Sequence, residues 1–385
     1  MPAKTPNAQA TDTAVSTKST KTNRLAECIL RDLVAIPSIT SDRTMNNKAL
    51  DYVNTFLRKR GMHITQFEWG GHRSLVATTR QTKTPTVFFM GHLDVVPASE
   101  DDFVLTERDG RYYGRGTLDM KSGIAAYMAA VDTLKGSLAD YDFGLMIVTD
   151  EETGGFNGAA KLVEAGYLPK VIVILDGTPG WNLDRASKGI WNVTIEAHGK
   201  SAHASRPWSG ENAVDKIIDV IQDIKSHFPE LTAHSNTVNI GTIHGGQAIN
   251  QVPSHATAGV DVRFTSREEY LRIRLAVEAA LQRHGAAIQS ELYGDAMEND
   301  ITNPYLVTYK ACTEQVLGRQ IQWVTAKAAN DGRWFNAKGV PCVVTYPEGS
   351  GHHSAEEWVA IEALDQMREV FISYLDKVAK NSLQK

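Results

Sequence analysis

Val87-Phe88-Phe89-Met90-Gly91-His92-Leu93-Asp94-Val95-Val96-Pro97 is the stretch whose reading decides the fold. It follows Pro85-Thr86 as an apolar run of strand type and ends at a proline that stops a strand. His92 and Asp94 alternate with apolar residues, and in a strand residues two apart share a face. An imidazole and a carboxylate therefore leave one strand end side by side, as a metal ligand and its orienting carboxylate would. A surface histidine beside a turn aspartate gives the same local pattern. The choice rests on what stands at the other strand ends.

Downstream the design repeats. Residues 142–148 form a strongly apolar strand that runs into Thr149-Asp150-Glu151-Glu152-Thr153-Gly154-Gly155. Three consecutive acids at the end of a buried strand are costly unless positive charge offsets them. A solvated turn is the plainer alternative. Val171-Ile172-Val173-Ile174-Leu175-Asp176-Gly177 is again a buried strand with an acid at its end. Ligands of open α/β sheets gather at such carboxyl ends. Between these strands, Asp109-Gly110 predicts a hairpin, and Asp119 stands in a loop before an apolar helix over 123–134. Asp119 reads either as a functional carboxylate or as the cap of that helix.

Upstream, Leu25, Ile29, Leu30 and Leu33 recur at helical spacing. A second helix is expected over 46–60 with Gly61 as its cap, then strands over 63–67 and 74–78. From 188 to 298 the texture changes to strand, helix, strand, strand, helix, strand, the order of a ferredoxin-like unit, read here as an insertion. The α/β pattern resumes after Asn303-Pro304, with a helix over 305–317, strands over 321–324 and 340–346, and a last helix over 361–380.

A chain of 385 residues holds two domains, or one with an insertion. A net charge of -5 invites neither nucleic acid nor an anionic membrane surface. Cys28, Cys312 and Cys342 are far apart, which fits reduced thiols in the cytoplasm and disfavours a thiolate metal site. No apolar run approaches the roughly 20 residues of a membrane helix. Residues 1–22, rich in Thr, Ser, Ala and Lys, read as a disordered tail. An organelle-targeting peptide is disfavoured because no arginine precedes Arg24.

Collected at loop and strand ends are several carboxylates and at least two histidines. Oxygen ligands with imidazole suit zinc, manganese, cobalt or iron(II). Two cations bridged by a carboxylate can clamp a water and a carbonyl together. A carboxylate beside a ligand, as Glu151 is beside Glu152, is then the natural general base.

Four segments occur in an order that resembles one known family: Gly91-His92-Leu93-Asp94-Val95-Val96-Pro97, Gly114-Arg115-Gly116-Thr117-Leu118-Asp119-Met120-Lys121, Asp150-Glu151-Glu152-Thr153-Gly154 and His353-Ser354-Ala355-Glu356-Glu357. They look like the cocatalytic metallohydrolases that include acetylornithine deacetylase, succinyl-diaminopimelate desuccinylase, carboxypeptidase G and several dipeptidases. The resemblance runs from about Leu25 to about Lys377. It implies a zinc-exopeptidase-like, three-layer α/β catalytic domain (residues 23–187 and 299–385) with an inserted α+β ferredoxin-like lid and dimerisation domain (188–298).

By that resemblance two divalent cations are expected, zinc first, with manganese or cobalt as alternatives. His92, Asp119 and Asp176 would hold one. Asp119, Glu152 and His353 would hold the other, with Asp119 bridging. His353 is preferred to His352 because the family's histidine stands four residues before the acid matched by Glu357. Asp94 would steady His92, and Glu151 would take the proton of the bridging hydroxide's parent water. Gly199-Lys200-Ser201-Ala202-His203-Ala204-Ser205-Arg206-Pro207 resembles the lid motif, whose histidine stabilises the oxyanion and in dimers reaches the partner's site. Asn250 and Arg263 match residues that grip a substrate carboxylate. Asn330-Asp331-Gly332-Arg333-Trp334-Phe335 resembles a desuccinylase segment that lines the substrate site.

The implied activity is hydrolysis of an amide or peptide bond in a small carboxylate-bearing substrate, a dipeptide or an N-acyl amino acid, by a homodimer. A desuccinylase-like deacylase and a single-metal amine hydrolase are the alternatives. Two departures bear on the choice: Ala328-Ala329 stand where desuccinylases carry glycines, and Asp176 replaces a glutamate found in several carboxypeptidases and deacylases.

Overall fold

The computed structural model describes residues 23–232, 235–326 and 329–380. The 1–22 tail and Ala328 lie outside the described residues. Strand Val87–His92 sits inside a six-stranded mixed sheet. Its order is His63–Trp69, His72–Thr78, Phe143–Val148, Val87–His92, Val171–Ile174, Cys342–Val344. Val87–His92 runs parallel to both neighbours, while the first two strands form an antiparallel hairpin at the edge. All six of its residues are buried, as a parallel strand covered on both faces requires.

The two faces feed two cores. Val87 and Phe89 point into one, shared with helices Asn23–Val34, Lys121–Leu134, Pro304–Leu317 and Ile361–Val378. Phe88 and Met90 point into the other, shared with Ala159–Glu164 and Gly332–Asn336. The result is a helix–sheet–helix sandwich. Phe89, Tyr127 and Phe371 pack as a tilted ring cluster with centroids 4.5–5.0 Å apart, and burying each such ring contributes about 1.5–3 kcal/mol.

The second half of the chain's middle folds around its own core. Strands Gly189–His198, Thr237–Gly245, His255–Phe264 and Ala286–Gly294 form an antiparallel sheet in the spatial order 237–245, 255–264, 189–198, 286–294. Helices Ala213–Ser226 and Arg267–His284 cover one face. This is the ferredoxin-like order. Asn212 and Ser266 cap the two helices by accepting from Val214 and Glu269 amides.

Several boundaries differ from the sequence expectation. The helix expected over 46–60 is Arg43–Arg58, begun by Asp42, whose carboxylate accepts the Met45 amide; Gly61 follows the cap with φ +87°. Strand Leu183–Ser187, which alternation did not signal, pairs in parallel with Trp323–Ala326. Asp119 does not cap the following helix. That helix is Lys121–Leu134, with Met120 at its N-cap position. It starts early because Lys121 is drawn inside, its Nζ donating to the Leu33 and Ile36 carbonyls at 3.0 and 2.9 Å. Among the described residues no helix is long and apolar enough to cross a membrane.

One buried carboxylate ties the Asp119 loop to the C-terminal part of the chain. Glu357 accepts from Arg115 Nη1 at 2.6 Å and from the amides of Gly116, Leu118 and Asp119 at 2.9–3.0 Å. Strand Trp358–Ala360 pairs with Arg111–Tyr113 directly alongside. Glu357→Ala leaves Arg115 charged and buried without its partner and should lower unfolding free energy by about 3–5 kcal/mol, read from urea denaturation. Burial lowers the Lys121 ammonium from 10.5 to about 7. Between those values the unfolded chain holds a proton that the folded chain has released, so this group's contribution to stability rises with pH. Wild type should therefore gain on Lys121→Met as pH is raised through that window, measured as the difference between their urea midpoints.

Candidate metal centre

Four chain segments deliver their side chains to one cavity of about 520 Å³, whose walls include Asp119, Glu151, Glu152, Asp176 and His353. His92 closes its strand beneath it. Nδ1–H of His92 donates to the Asp94 carbonyl at 2.9 Å, which aims Nε2 at Asp119 Oδ1, 3.0 Å away. The second oxygen of Asp119 lies 3.1 Å from His353 Nε2, and the same nitrogen lies 3.1 Å from Glu152 Oε2. Asp119 thus divides its two oxygens between two histidines. His353 adopts a left-handed backbone at φ +63°, unusual for a residue with a Cβ. His352 lines the cavity without a place in this hydrogen-bonded group.

The ligating atoms of His92, Asp119 and Glu152 lie within 4.8 Å of one another, as do those of His92, Glu151 and Asp176. Asp176 accepts from the Tyr346 hydroxyl at 2.8 Å. In the sequence Tyr346 is simply the last residue of an apolar strand. Its place at a strand's carboxyl end, facing the acids, was the available signal. Asp331 is buried with neither carboxylate oxygen hydrogen-bonded.

The contact expected between Asp94 and His92 is made chiefly through the backbone. The Asp94 carboxylate is 3.6 Å from His92 Nδ1, and it is the backbone carbonyl that orients the ring. The carboxylate instead accepts from Thr40 Oγ1 at 3.0 Å and from the amides of Glu151 and Glu152 at 3.2 Å. It holds the turn that presents the two glutamates, a short 3-10 segment, Glu151–Thr153.

His203, Asn250 and Arg263 are not brought to this cavity. They belong to the four-stranded unit. His203 is exposed, with Nδ1 2.9 Å from Ser205 Oγ, and Asn250 is exposed. Arg263 makes a two-point pair with Asp261, at 2.7 and 3.0 Å, on its own strand. A carboxylate two residues away on the same face satisfies the guanidinium locally.

The electrostatics favour a cation. Burial would lower the His92 imidazole, but the carboxylates of Asp119 and Asp94 carry it well above its ordinary value. Burial would raise Asp119, and the donors His353 and His92 hold it far below the usual range. The Asp119 and Glu152 carboxylates lift His353 to about 10. Burial, then Asp176, pushes Glu151 well up. Burial and the negative charge of Asp119 raise Asp176 to about 7. Burial raises Asp331 to about 7. More carboxylate is packed here than two imidazolium groups neutralise, and divalent cations would relieve that repulsion. A donor set of carboxylate oxygens and imidazole nitrogens without sulfur fits zinc-, manganese- or cobalt-type ions.

The model of "Peptidase family M20/M25/M40" matches residues 88–377. A protein of Staphylococcus epidermidis named probable succinyl-diaminopimelate desuccinylase is 25% identical over 90% of this chain and 98% of its own length. A Gluconacetobacter diazotrophicus succinyl-diaminopimelate desuccinylase is 27% identical over 91% of this chain and 96% of its own. The crystal structure of a tripeptidase from Staphylococcus aureus superposes with a TM-score of 0.75 at 20% identity, covering 92% of this chain and 97% of that one. Cavity, acids and paired histidines agree with what the family model matches: this chain belongs to the peptidase family M20/M25/M40 and is a metal-dependent hydrolase of amide bonds.

Proposed function

We propose that the chain cleaves an amide or peptide bond in a small carboxylate-bearing substrate, a dipeptide or an N-acyl amino acid, with Glu151 as general base. The observation that carries the reading is the division of Asp119 between His92 and His353, at 3.0 and 3.1 Å. A carboxylate with one oxygen toward each of two imidazoles would suit a ligand shared by two cations.

His92, Asp119 and Asp176 would hold one cation and Asp119, Glu152 and His353 the other, zinc being the first choice for this donor set. Bound there, two divalent cations supply an activated water and a polarised carbonyl. The remaining chemistry belongs to the chain. Glu151 is half-buried at the cavity wall, and its surroundings raise its proton affinity. A carboxylate of that kind accepts a proton from the attacking water and hands it to the leaving amine. Asp94 positions Glu151 and Glu152 through their amides. Tyr346 orients Asp176.

The proposed division is a catalytic domain of residues 23–187 and 299–385 and a lid and dimerisation domain of residues 188–298, supported by the separate core of the four-stranded unit. Closure of that lid, or its counterpart from a partner subunit, would bring His203 to the oxyanion and Asn250 and Arg263 to the substrate carboxylate. For Arg263 this means exchanging Asp261 for the substrate. The unpaired state of Cys28, Cys312 and Cys342 supports residence in the reducing cytoplasm.

A desuccinylase-like deacylase is the second reading, favoured by the names of the curated relatives. Against it, the methyl group of Ala329 lines the cavity where desuccinylases carry glycine. Hydrolysis of a panel of dipeptides, N-acetyl and N-succinyl amino acids, with zinc, manganese and cobalt supplied separately, decides between them. Preferential turnover of N-succinyl substrates would replace the first reading with the second.

Glu151→Gln should keep the wild-type metal content and lose roughly 100-fold or more in kcat; an active variant would remove Glu151 from the mechanism. Asp119→Asn should lower the metal count by elemental analysis, because it weakens the shared ligand of both positions. A wild-type chain fully active with one ion would favour the single-metal alternative.

A further inference from the structure

Outside the catalytic cavity, one further cluster among the described residues has the composition and spacing of a metal site. It lies on the four-stranded sheet, on the face turned away from the two helices. Along strand Gly189–His198, Trp191, Val193, Ile195 and Ala197 face the helices and are buried. Glu196 and His198 therefore share the opposite face. On strand His255–Phe264, His255 stands directly across from His198, and Thr257 across from Glu196.

The ligating atoms of Glu196, His198 and His255 lie within 4.8 Å of one another. Glu196 Oε2 is 3.6 Å from His198 Nε2 and 3.5 Å from His255 Nε2. The two imidazole rings are 5.0 Å apart. In a tetrahedral site with metal–ligand bonds of about 2.0–2.2 Å, neighbouring donors stand about 3.3–3.5 Å apart. The Glu196 separations are already close to that edge length. The distances exceed those of good hydrogen bonds, so the three groups stand around a common point without being closed on one another.

The backbone supports the arrangement. The two strands pair continuously from His255–His198 to Phe264–Gly189, so the three ligands project from a fixed ladder rather than from loops, as a preorganised site should. His244 stands across from Thr257 on the next strand, on the same face, and is the nearest additional imidazole by register. The histidines are exposed at 72% and 50% of their side-chain surface, leaving an ion access from solvent and room for water to complete its shell.

We propose that Glu196, His198 and His255 form a divalent-cation site, separate from the catalytic cluster, for zinc or an ion of similar preference. Two imidazoles and one carboxylate select such ions over magnesium or calcium. The site has a location that matters. His198 ends its strand, and the chain runs from it through Gly199 to His203. The backbone of His203 bridges to Gln251, four residues before His255. An ion held here ties together the roots of the two segments that carry His203 and Asn250.

The proposal does not depend on the dinuclear reading of the cavity, and its test keeps the two apart. The full-length protein, stripped with a chelator and dialysed against excess zinc, is compared by elemental analysis with His198→Ala/His255→Ala and with Asp119→Asn. The double variant should bind one zinc fewer per chain than wild type and keep its catalytic ions. Asp119→Asn should lose catalytic zinc and still lose one more when the double substitution is added. In wild type, zinc titration should shift the ring nitrogen resonances of His198 and His255 in histidine-selective NMR. Equal zinc content in wild type and double variant, or unmoved His198 and His255 resonances, would overturn the site whatever happens at Asp119.

Discussion

Asp119 places one carboxylate oxygen on each of two histidines drawn from opposite ends of the chain, and the rest of the structure is arranged so that it can. His92 precedes it by 27 residues and His353 follows it by 234. Neither contact survives unless the loop holding Asp119 stays fixed. Glu357 fixes it by accepting the Asp119 amide together with two other amides and Arg115. One carboxylate thus positions another, and the positioning carboxylate is itself buried at the cost of a fully satisfied hydrogen-bond shell.

The same logic extends around the cavity. Asp94 sits under the 151–152 turn and accepts both amides, while Tyr346 presents its hydroxyl to Asp176. Asp119, Glu151, Glu152 and Asp176 are each held by a neighbour not expected to meet a cation. Such support is what keeps a crowd of carboxylates in place while they repel one another. Burial first, and neighbouring carboxylates after it, raise the proton affinities of Glu151 and Asp176, the electrostatic counterpart of a place suited to positive charge.

The four-stranded unit follows different rules. It has its own core and presents a polar sheet face with two histidines and a glutamate in register. Arg263 is satisfied within the unit by Asp261. The core of the unit is separate from the two cores of the sandwich.

The sequence by itself determined the strands whose apolar runs end in acids, the helix–sheet texture of the sandwich and the order of the ferredoxin-like unit. Those signals are local: period, breakers and the identity of the residue after a strand. It also named His92, Asp119, Glu151, Glu152, Asp176 and His353 as candidates, through motif spacing. Motif spacing already preferred His353 to His352; only the tertiary structure decided that its Nε2 meets both Asp119 and Glu152, from a left-handed backbone position. It alone assigned Asp94 to two amides, Tyr346 to Asp176 and Arg263 to Asp261. Side-chain partners chosen across tens or hundreds of residues leave no periodic trace, since they are set by where separately folded segments come to rest.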